Sequence, residues 1–177
     1  MDRIRLGKYH ATGPAGEDSN PLWWRLLAPL ARRSRRLRAL GYGLPRSRLR
    51  TALVWRYYRD IADDINAGDV DRHLPAVDPN AEIRIVMETF RGREAKEALL
   101  DFRESFPNFG VEMREVVNPD GPHVLLFGRV MGDGSVSGVS LQENHWGLRV
   151  KIHAGMAIEI QAHQDRAEAL EAVGLSE

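Results

Sequence analysis

Two residues of this chain have the types and spacing of an acid–base pair. Glu143 and His145 lie two positions apart in a predicted strand of residues 135–152, so their side chains share one face of it. A carboxylate in that position can orient an imidazole that takes up and releases a proton. The alternative, which we favour, is that this face is solvated at the edge of a sheet.

Arg129 is also unusual, because it stands inside an otherwise apolar predicted strand, Val124–Met131. A buried arginine needs a partner, and we expect Glu143 or Glu159 on a neighbouring strand to supply it. Such a pair either anchors an anionic ligand or braces the sheet.

The last predicted strand, residues 156–163, places Glu159, Gln161 and His163 on one face, which lines either the interior of the fold or a dimer surface. Metal chemistry has little support, because the six histidines are scattered and the chain has no cysteine. The sequence also lacks a phosphate-binding loop and a nucleophile-elbow motif. We therefore expect no metal and no cofactor.

The hydrophobic pattern predicts which elements position these residues. A helix is predicted over residues 47–68, a second short helix begins at Asp69, and a third spans Gly92–Phe106. A strand is predicted over residues 81–87, four more strands follow the third helix, and a last helix spans Asp165–Val173. Helices that are separated along the chain from a mostly antiparallel sheet indicate the α+β class.

The zero net charge conceals a division of charge along the chain. Residues 1–50 carry 12 Lys or Arg and 3 Asp or Glu, whereas the remaining residues carry 13 and 22. We predict that residues 1–45 form a basic, flexible arm and that residues 46–177 form the domain. The arm contains an amphipathic segment that can contact an anionic membrane surface or nucleic-acid phosphates. The alternative, which we favour, is a solvated tail whose removal leaves the melting temperature nearly unchanged.

The longest apolar stretch, Pro21–Leu30, is interrupted by Arg25. A membrane-spanning helix needs about 20 apolar residues, so we expect no transmembrane segment. The basic residues follow this stretch, whereas the charges of a secretory signal precede its apolar core. We therefore expect a cytoplasmic protein.

Four motifs occur in the order and spacing of a known family. They are Asn66-Ala67-Gly68-Asp69-Val70-Asp71, Asp78-Pro79-Asn80-Ala81-Glu82, Phe90-Arg91-Gly92-Arg93-Glu94-Ala95, and residues 165–175. Through them, residues 47–177 resemble the SnoaL-like branch of the nuclear transport factor 2-like superfamily, and the last motif is similar to that of many bacterial members. The relatives in this superfamily include ketosteroid isomerases, polyketide cyclases, limonene epoxide hydrolases and many noncatalytic binders.

The resemblance implies a cone-shaped fold, in which a curved antiparallel sheet wraps over N-terminal helices and encloses one apolar pocket, often in a homodimer. Isomerase-type chemistry needs a carboxylate base on the first strand and hydrogen-bond donors beside it. Arg84 is the nearest counterpart of that base, and Glu82, two residues earlier on the same face, is the candidate carboxylate. Tyr57 and Tyr58 on the first long helix are either donors into the pocket or part of the core.

The function that the resemblance implies is binding of a small apolar molecule. If the protein is an enzyme, its chemistry is cofactor-free acid–base catalysis of the isomerase, cyclase or epoxide-hydrolase type. The candidate catalytic residues are Glu82, Tyr58, Glu143 and His145, and the candidate ligand-binding residues are Tyr57, Arg84, Arg129, Glu159, Gln161 and His163. The alternative is a noncatalytic binding or dimerisation module, and whether the chain is an enzyme stays open.

Overall fold

Helices from the first part of the chain lie against one face of a curved sheet. The computed structural model describes residues 10–12, 22–44, 47–85, 88–92, 94–106, 108–117, 121–132 and 144–175. The helices are α1 (Leu22–Arg33), α2 (Arg35–Gly43), α3 (Arg48–Ala67), α4 (Glu94–Ser105) and α5 (Arg166–Glu171). The strands are β1 (His10–Thr12), β2 (Val77–Ile85), β3 (Glu88–Arg91), β4 (Gly110–Val117), β5 (His123–Met131), β6 (Asn144–His153) and β7 (Met156–His163).

Within these described residues the strands form one seven-stranded sheet in the order β1-β4-β5-β6-β7-β2-β3. Neighbouring strands are antiparallel except β2 and β7, which are parallel. Register shifts interrupt the pairing of β2 with β7, β4 with β5, and β6 with β7, and shifts of this kind bend a sheet. The sheet is curved and unclosed. The predicted α+β class is confirmed, with one parallel pair in a sheet expected to be antiparallel.

The local sequence explains where α3 begins and ends. The Ser47 hydroxyl accepts a hydrogen bond from the backbone amide of Arg50, which satisfies one of the amides that a helix start leaves without a partner. Gly68 ends the helix with a φ of 81°, a left-handed conformation that glycine adopts without steric penalty. The helix predicted over residues 47–68 is therefore confirmed.

The predicted second short helix is wrong, because the chain after Asp69 forms two 3₁₀ turns, Val70–Arg72 and Leu74–Ala76. Pro75 lies in the second turn and has no backbone N–H for the hydrogen bond that an α-helix would need. The strand predicted from residue 81 begins earlier, at Val77.

The main core lies between α1, α3 and the face of the sheet that they cover, here called the inner face. Its buried side chains are Trp24, Ala28, Val54, Tyr57, Tyr58, Ala76, Val116, Val124, Leu126, Val150 and Ala157. A smaller cluster lies on the opposite, outer face, where α5 packs on the sheet. Its buried side chains are Val117, Leu125, Phe127, Ala169 and Leu170.

Residues 22–44 differ from the solvated arm that the sequence predicts. Trp24 is only 4% exposed, and its indole Nε1 donates to Asp60 Oδ2 on α3 at 3.0 Å. Burial of a tryptophan removes a large apolar area from water, so α1 is held on the domain by apolar contact and by a hydrogen bond. The division of the chain at residue 46 stays a prediction. Among the described residues, no helix has the length and apolar character to cross a membrane.

Arg38 on α2 is buried, and backbone carbonyl groups from four residues accept hydrogen bonds from its guanidinium group. Its Nε donates to Gly155 O at 2.8 Å, and Nη2 donates to Pro75 O at 2.7 Å. Its Nη1 donates to Ala31 O at 3.1 Å and to Arg32 O at 2.7 Å. One side chain therefore joins α2 to the end of α1, to the second 3₁₀ turn and to the turn between β6 and β7.

The turn between β6 and β7 has to be narrow where α2 approaches it. Gly155 has a φ of +77°, and a Cβ atom there would lie 2.5 Å from Arg35 O and 2.6 Å from Ala39 N. Any side chain at residue 155 would push α2 away from the sheet, so glycine is needed for close packing as well as for the positive φ.

The two neighbouring tryptophans of α1 give a matched test of this packing. We expect Trp24→Ala to lower the free energy of unfolding by about 3–5 kcal/mol, the usual cost of emptying a buried aromatic site. Trp23, which is 41% exposed, is the control, and Trp23→Ala is expected to cost about 1 kcal/mol or less. Urea unfolding of the full chain measures both. Equal, small effects of the two variants would support the solvated tail instead.

Candidate functional site

Glu82 and Arg84 lie on the outer face of the sheet. Ala81 and Ile83, which alternate with them on β2, are buried, and side chains on a strand alternate between the two faces. Glu82 and Arg84 form an ion pair with each other, and their side chains are 38% and 54% exposed. Glu82 therefore points away from the core beneath α3, where the resemblance places the base of the isomerase reaction.

Arg129 pairs with Glu112 on β4, whereas Glu159, one of the two expected partners, pairs with Arg149; the other, Glu143, lies outside the described residues. Glu112 and Arg129 are directly opposite each other in the antiparallel pair of β4 and β5. The pair is partly buried and links two neighbouring strands. This arrangement fits the second of the two roles considered for Arg129, which is bracing the sheet.

Glu159 and Gln161 on β7 both accept hydrogen bonds from Arg149 Nη2 on β6. Arg149 and Gln161 are partners in the register of the two strands, and Gln161 is also the partner of Arg84 on β2. Residues paired in this way share a face. The polar group of β2, β6 and β7 therefore forms one row on the outer face.

His163 is buried beside α5, where its Nδ1 lies 3.2 Å from Glu168 Oε1. It does not join the other polar residues of β7 at a shared open site. Glu143 lies outside the described residues, and only the backbone of His145 is described. The acid–base pair of these two residues stays a prediction.

Tyr57 and Tyr58 face the inner core from α3, with ring centroids 5.5 Å apart. The hydroxyl of Tyr42 on α2 donates to the hydroxyl of Tyr58 at 3.2 Å. Burial raises the pKa of Tyr57 to about 12 and raises the pKa of Tyr58 still further. Both phenols are therefore neutral at physiological pH, where they can donate hydrogen bonds.

A cleft of about 210 Å³ lies between α2, the start of α3 and the β5 and β6 strands. Its walls include the apolar side chains of Val124 and Ile152 and the polar side chains of Tyr42, Arg50 and His123. Burial and the charges of nearby basic residues lower the pKa of His123, so its imidazole is neutral at pH 7. The cleft therefore combines apolar walls, a permanent positive charge and a tyrosine hydroxyl.

A buried group of charged residues joins α1, α3 and the 3₁₀ turns. Arg32 Nη2 lies 3.3 Å from both Asp60 Oδ2 and Asp64 Oδ2, and His73 Nε2 lies 2.5 Å from Asp64 Oδ2. Burial lowers the pKa of His73, although Asp64 acts to raise it, so a neutral imidazole donates to the Asp64 carboxylate. His73 Nδ1 is buried and has no hydrogen-bond partner.

An aspartate–histidine pair of this kind can perform acid–base chemistry where a substrate reaches it. Here Arg32 on α1 contacts the carboxylates of both Asp60 and Asp64 on α3. These contacts hold α1 on α3. Among the described residues, no group of three or more His, Asp or Glu side chains could hold a metal ion.

The central residues of the cleft and of the buried charged group are absent from the candidates that the sequence indicates. Tyr42 belongs to the segment that the sequence predicts to be an arm, and no motif distinguishes His123. Asp60 and Asp64 did carry a signal, because two acidic residues four positions apart on an otherwise apolar helix face predict a buried pair that needs cations.

We expect the protein to lose stability as the pH falls below about 6.5, in part through His73. The folded state holds the pKa of His73 below its ordinary value of 6.5, so the unfolded chain takes up a proton first. The contribution of His73 to the free energy of unfolding is then fully present above about pH 6.5. It declines as the pH falls from there to the pKa of the folded state. Urea unfolding at a series of pH values measures this decline.

His73→Gln should flatten the pH dependence between pH 6.5 and 5, whatever its effect at pH 7. His123→Gln is the companion variant, because the pKa of His123 is lowered in the same direction at a more exposed position, and it should flatten the curve less. An unchanged slope in His73→Gln would contradict this account of the buried pair.

The chain matches no protein-family model and no curated protein sequence, but it is similar to solved structures. Bal32a from a soil-derived mobile gene cassette has 14% identity and a TM-score of 0.53, covering 73% of this chain and 91% of that one. An NTF2-like protein of unknown function from Burkholderia pseudomallei K96243 has 16% identity and a TM-score of 0.53, covering 68% and 96%.

A third solved structure is a hypothetical protein with a ketosteroid isomerase-like fold from Catenulispora acidiphila DSM 44928, in complex with trimethylamine. It has 13% identity and a TM-score of 0.52, covering 65% of this chain and 89% of that one. At these identities, the likeness is one of fold.

Proposed function

We propose that this chain, which has the nuclear transport factor 2-like fold that its sequence resembles, binds a small molecule in the cleft between α2 and the β5 and β6 strands. The observation that carries the proposal is the composition of the cleft, where Arg50 and Tyr42 stand beside the apolar walls of Val124 and Ile152. Ligand sites commonly combine mostly apolar walls with a few polar groups that fix orientation.

The polar groups of the cleft indicate the class of ligand. Arg50 keeps its positive charge at any physiological pH, and Tyr42 and Tyr58 form a hydroxyl pair at the side of the cleft. A small apolar molecule with one carboxylate fits this pattern, because a guanidinium group donates hydrogen bonds to anions. The volume of about 210 Å³ lies below the roughly 300–1,000 Å³ of sites for drug-sized ligands, so the ligand is small.

The geometry favours binding over the acid–base chemistry considered above. Glu82 is paired with Arg84 on the outer face. It therefore does not lie where a base beside an inner pocket would have to lie. Tyr58 reaches the cleft through Tyr42, but its raised pKa keeps its proton in place. The similar protein from Catenulispora acidiphila is in complex with trimethylamine, which supports small-molecule binding by this fold. The enclosed apolar pocket that the resemblance implies stays a prediction.

The alternative of a dimerisation module would place a second copy on the outer face of β2, β6 and β7. The charges there are paired within one chain, as in Glu82 with Arg84 and Arg149 with Glu159. A second copy is not required to neutralise the charges of this face, so we do not prefer this alternative. The homodimer and the cytoplasmic location stay predictions, and analytical ultracentrifugation tests the homodimer.

A binding experiment with cleft variants tests the proposal. We would identify a retained ligand by native mass spectrometry and then screen small aromatic and aliphatic carboxylates by ligand-observed NMR. Arg50→Gln should weaken carboxylate binding about tenfold or more, because it removes a hydrogen bond to a charged group. Ile152→Trp should block binding by filling the cleft.

Arg84→Gln is the matched control, since Arg84 is an arginine on the outer face. It should leave the affinity unchanged. Equal weakening by Arg50→Gln and Arg84→Gln would show non-specific charge attraction, and unchanged binding in Ile152→Trp would place the ligand elsewhere. Either result would overturn the cleft as the site.

A further inference from the structure

Large apolar side chains are exposed along the outward side of α1 and α2. We call this the amphipathic surface, and its apolar members are Trp23, Leu26, Leu27, Leu30, Leu37 and Leu40. Leu49 at the start of α3 is also exposed. Among the described residues, the one other exposed large hydrophobic side chain is Ile85 on β2. The four on α1 share one face of that helix by their spacing, and exposed apolar side chains grouped in this way mark an interaction site.

The charged residues of the segment that carries the amphipathic surface have a single sign. Residues 21–59 contain eleven arginines and no aspartate, glutamate or lysine. Four of these arginines lie exposed on or beside the two helices, at Arg25, Arg33, Arg35 and Arg36. The partner of this surface must therefore accept leucine side chains and also carry negative charge.

The two helices present this surface in a fixed position. Trp24 and Ala28 on the opposite side of α1 are buried in the main core, and Arg38 ties α2 to backbone carbonyl groups around it. The surface needs no folding step before binding, so little conformational entropy is lost when a partner covers it.

We infer that α1 and α2 bind the protein peripherally to an anionic membrane surface. Helices with leucine and tryptophan beside arginine lie in the interface of a bilayer, with apolar side chains among the acyl chains and arginines at the headgroups. A second copy of this chain fits less well, because two such surfaces would bring like charges together. Nucleic acid would leave the leucines without apolar contact. This inference does not depend on the ligand cleft.

Co-sedimentation of the full chain with vesicles tests the inference. The probes are vesicles of phosphatidylcholine alone and vesicles in which phosphatidylglycerol replaces part of it. We expect at least about tenfold stronger partitioning into the anionic vesicles, and this preference should decrease as salt is added. Equal partitioning into both kinds of vesicle, or none into either, would overturn the inference.

Two variants separate the apolar and the ionic contributions. Leu26→Ser/Leu30→Ser/Leu40→Ser removes exposed apolar side chains, and Arg33→Glu/Arg36→Glu reverses two exposed charges. Each should reduce partitioning about tenfold or more, while circular dichroism and the melting temperature stay close to those of the unaltered protein. The second variant keeps the test decisive if the first one unfolds.

Ile85→Ser and Arg84→Glu are the controls, because they change exposed residues of the same types on β2. They should partition like the unaltered protein. Full partitioning by both surface variants would overturn the inference. So would a dimer in vesicle-free solution that the leucine variant dissociates, because the surface would then belong to a second copy.

Discussion

The position of the first two helices depends on the burial of one guanidinium group. A buried cation must donate hydrogen bonds to acceptors within the protein. The acceptors of Arg38 are the backbone carbonyl groups of four residues from three parts of the chain. Two of them belong to the last turn of α1, where helix carbonyl groups lack partners within the helix and carry partial negative charge. Because α2 forms one wall of the cleft and part of the amphipathic surface, both features depend on this contact.

The sequence predicts the elements whose signals are local. Ser47 and Gly68 bound α3 through a side-chain cap and a left-handed residue, and both effects act within a few positions. The packing of α1 could not be predicted in the same way, because Trp24 meets Asp60 across 36 positions. The sequence of an arginine-rich segment does not distinguish arginines that face solvent from one that, like Arg38, donates to buried carbonyl groups.

The site was harder to predict because a strand pattern specifies alternation without specifying which face is covered. The polar residues of β2 and β7 were correctly grouped by face, yet that face proves to be the outer one. Arg129 pairs with Glu112 because β4 and β5 are neighbours in the sheet. The residues close to either one in sequence do not specify which strands pair. The resemblance draws attention to the tyrosines of α3, whereas the position of Tyr42 depends on how α2 folds back.

The short strand β1 has a consequence for how the protein behaves at high concentration. Its residues, His10–Thr12, pair with Val117, Val116 and Glu115 and so cover the edge of the last three residues of the eight-residue β4. An uncovered edge offers free N–H and C=O groups to any other extended chain. Proteolytic cleavage just after residue 12 would uncover this part of the β4 edge, while α1, α2 and the main core stay in place. The product would be folded molecules that aggregate through β4.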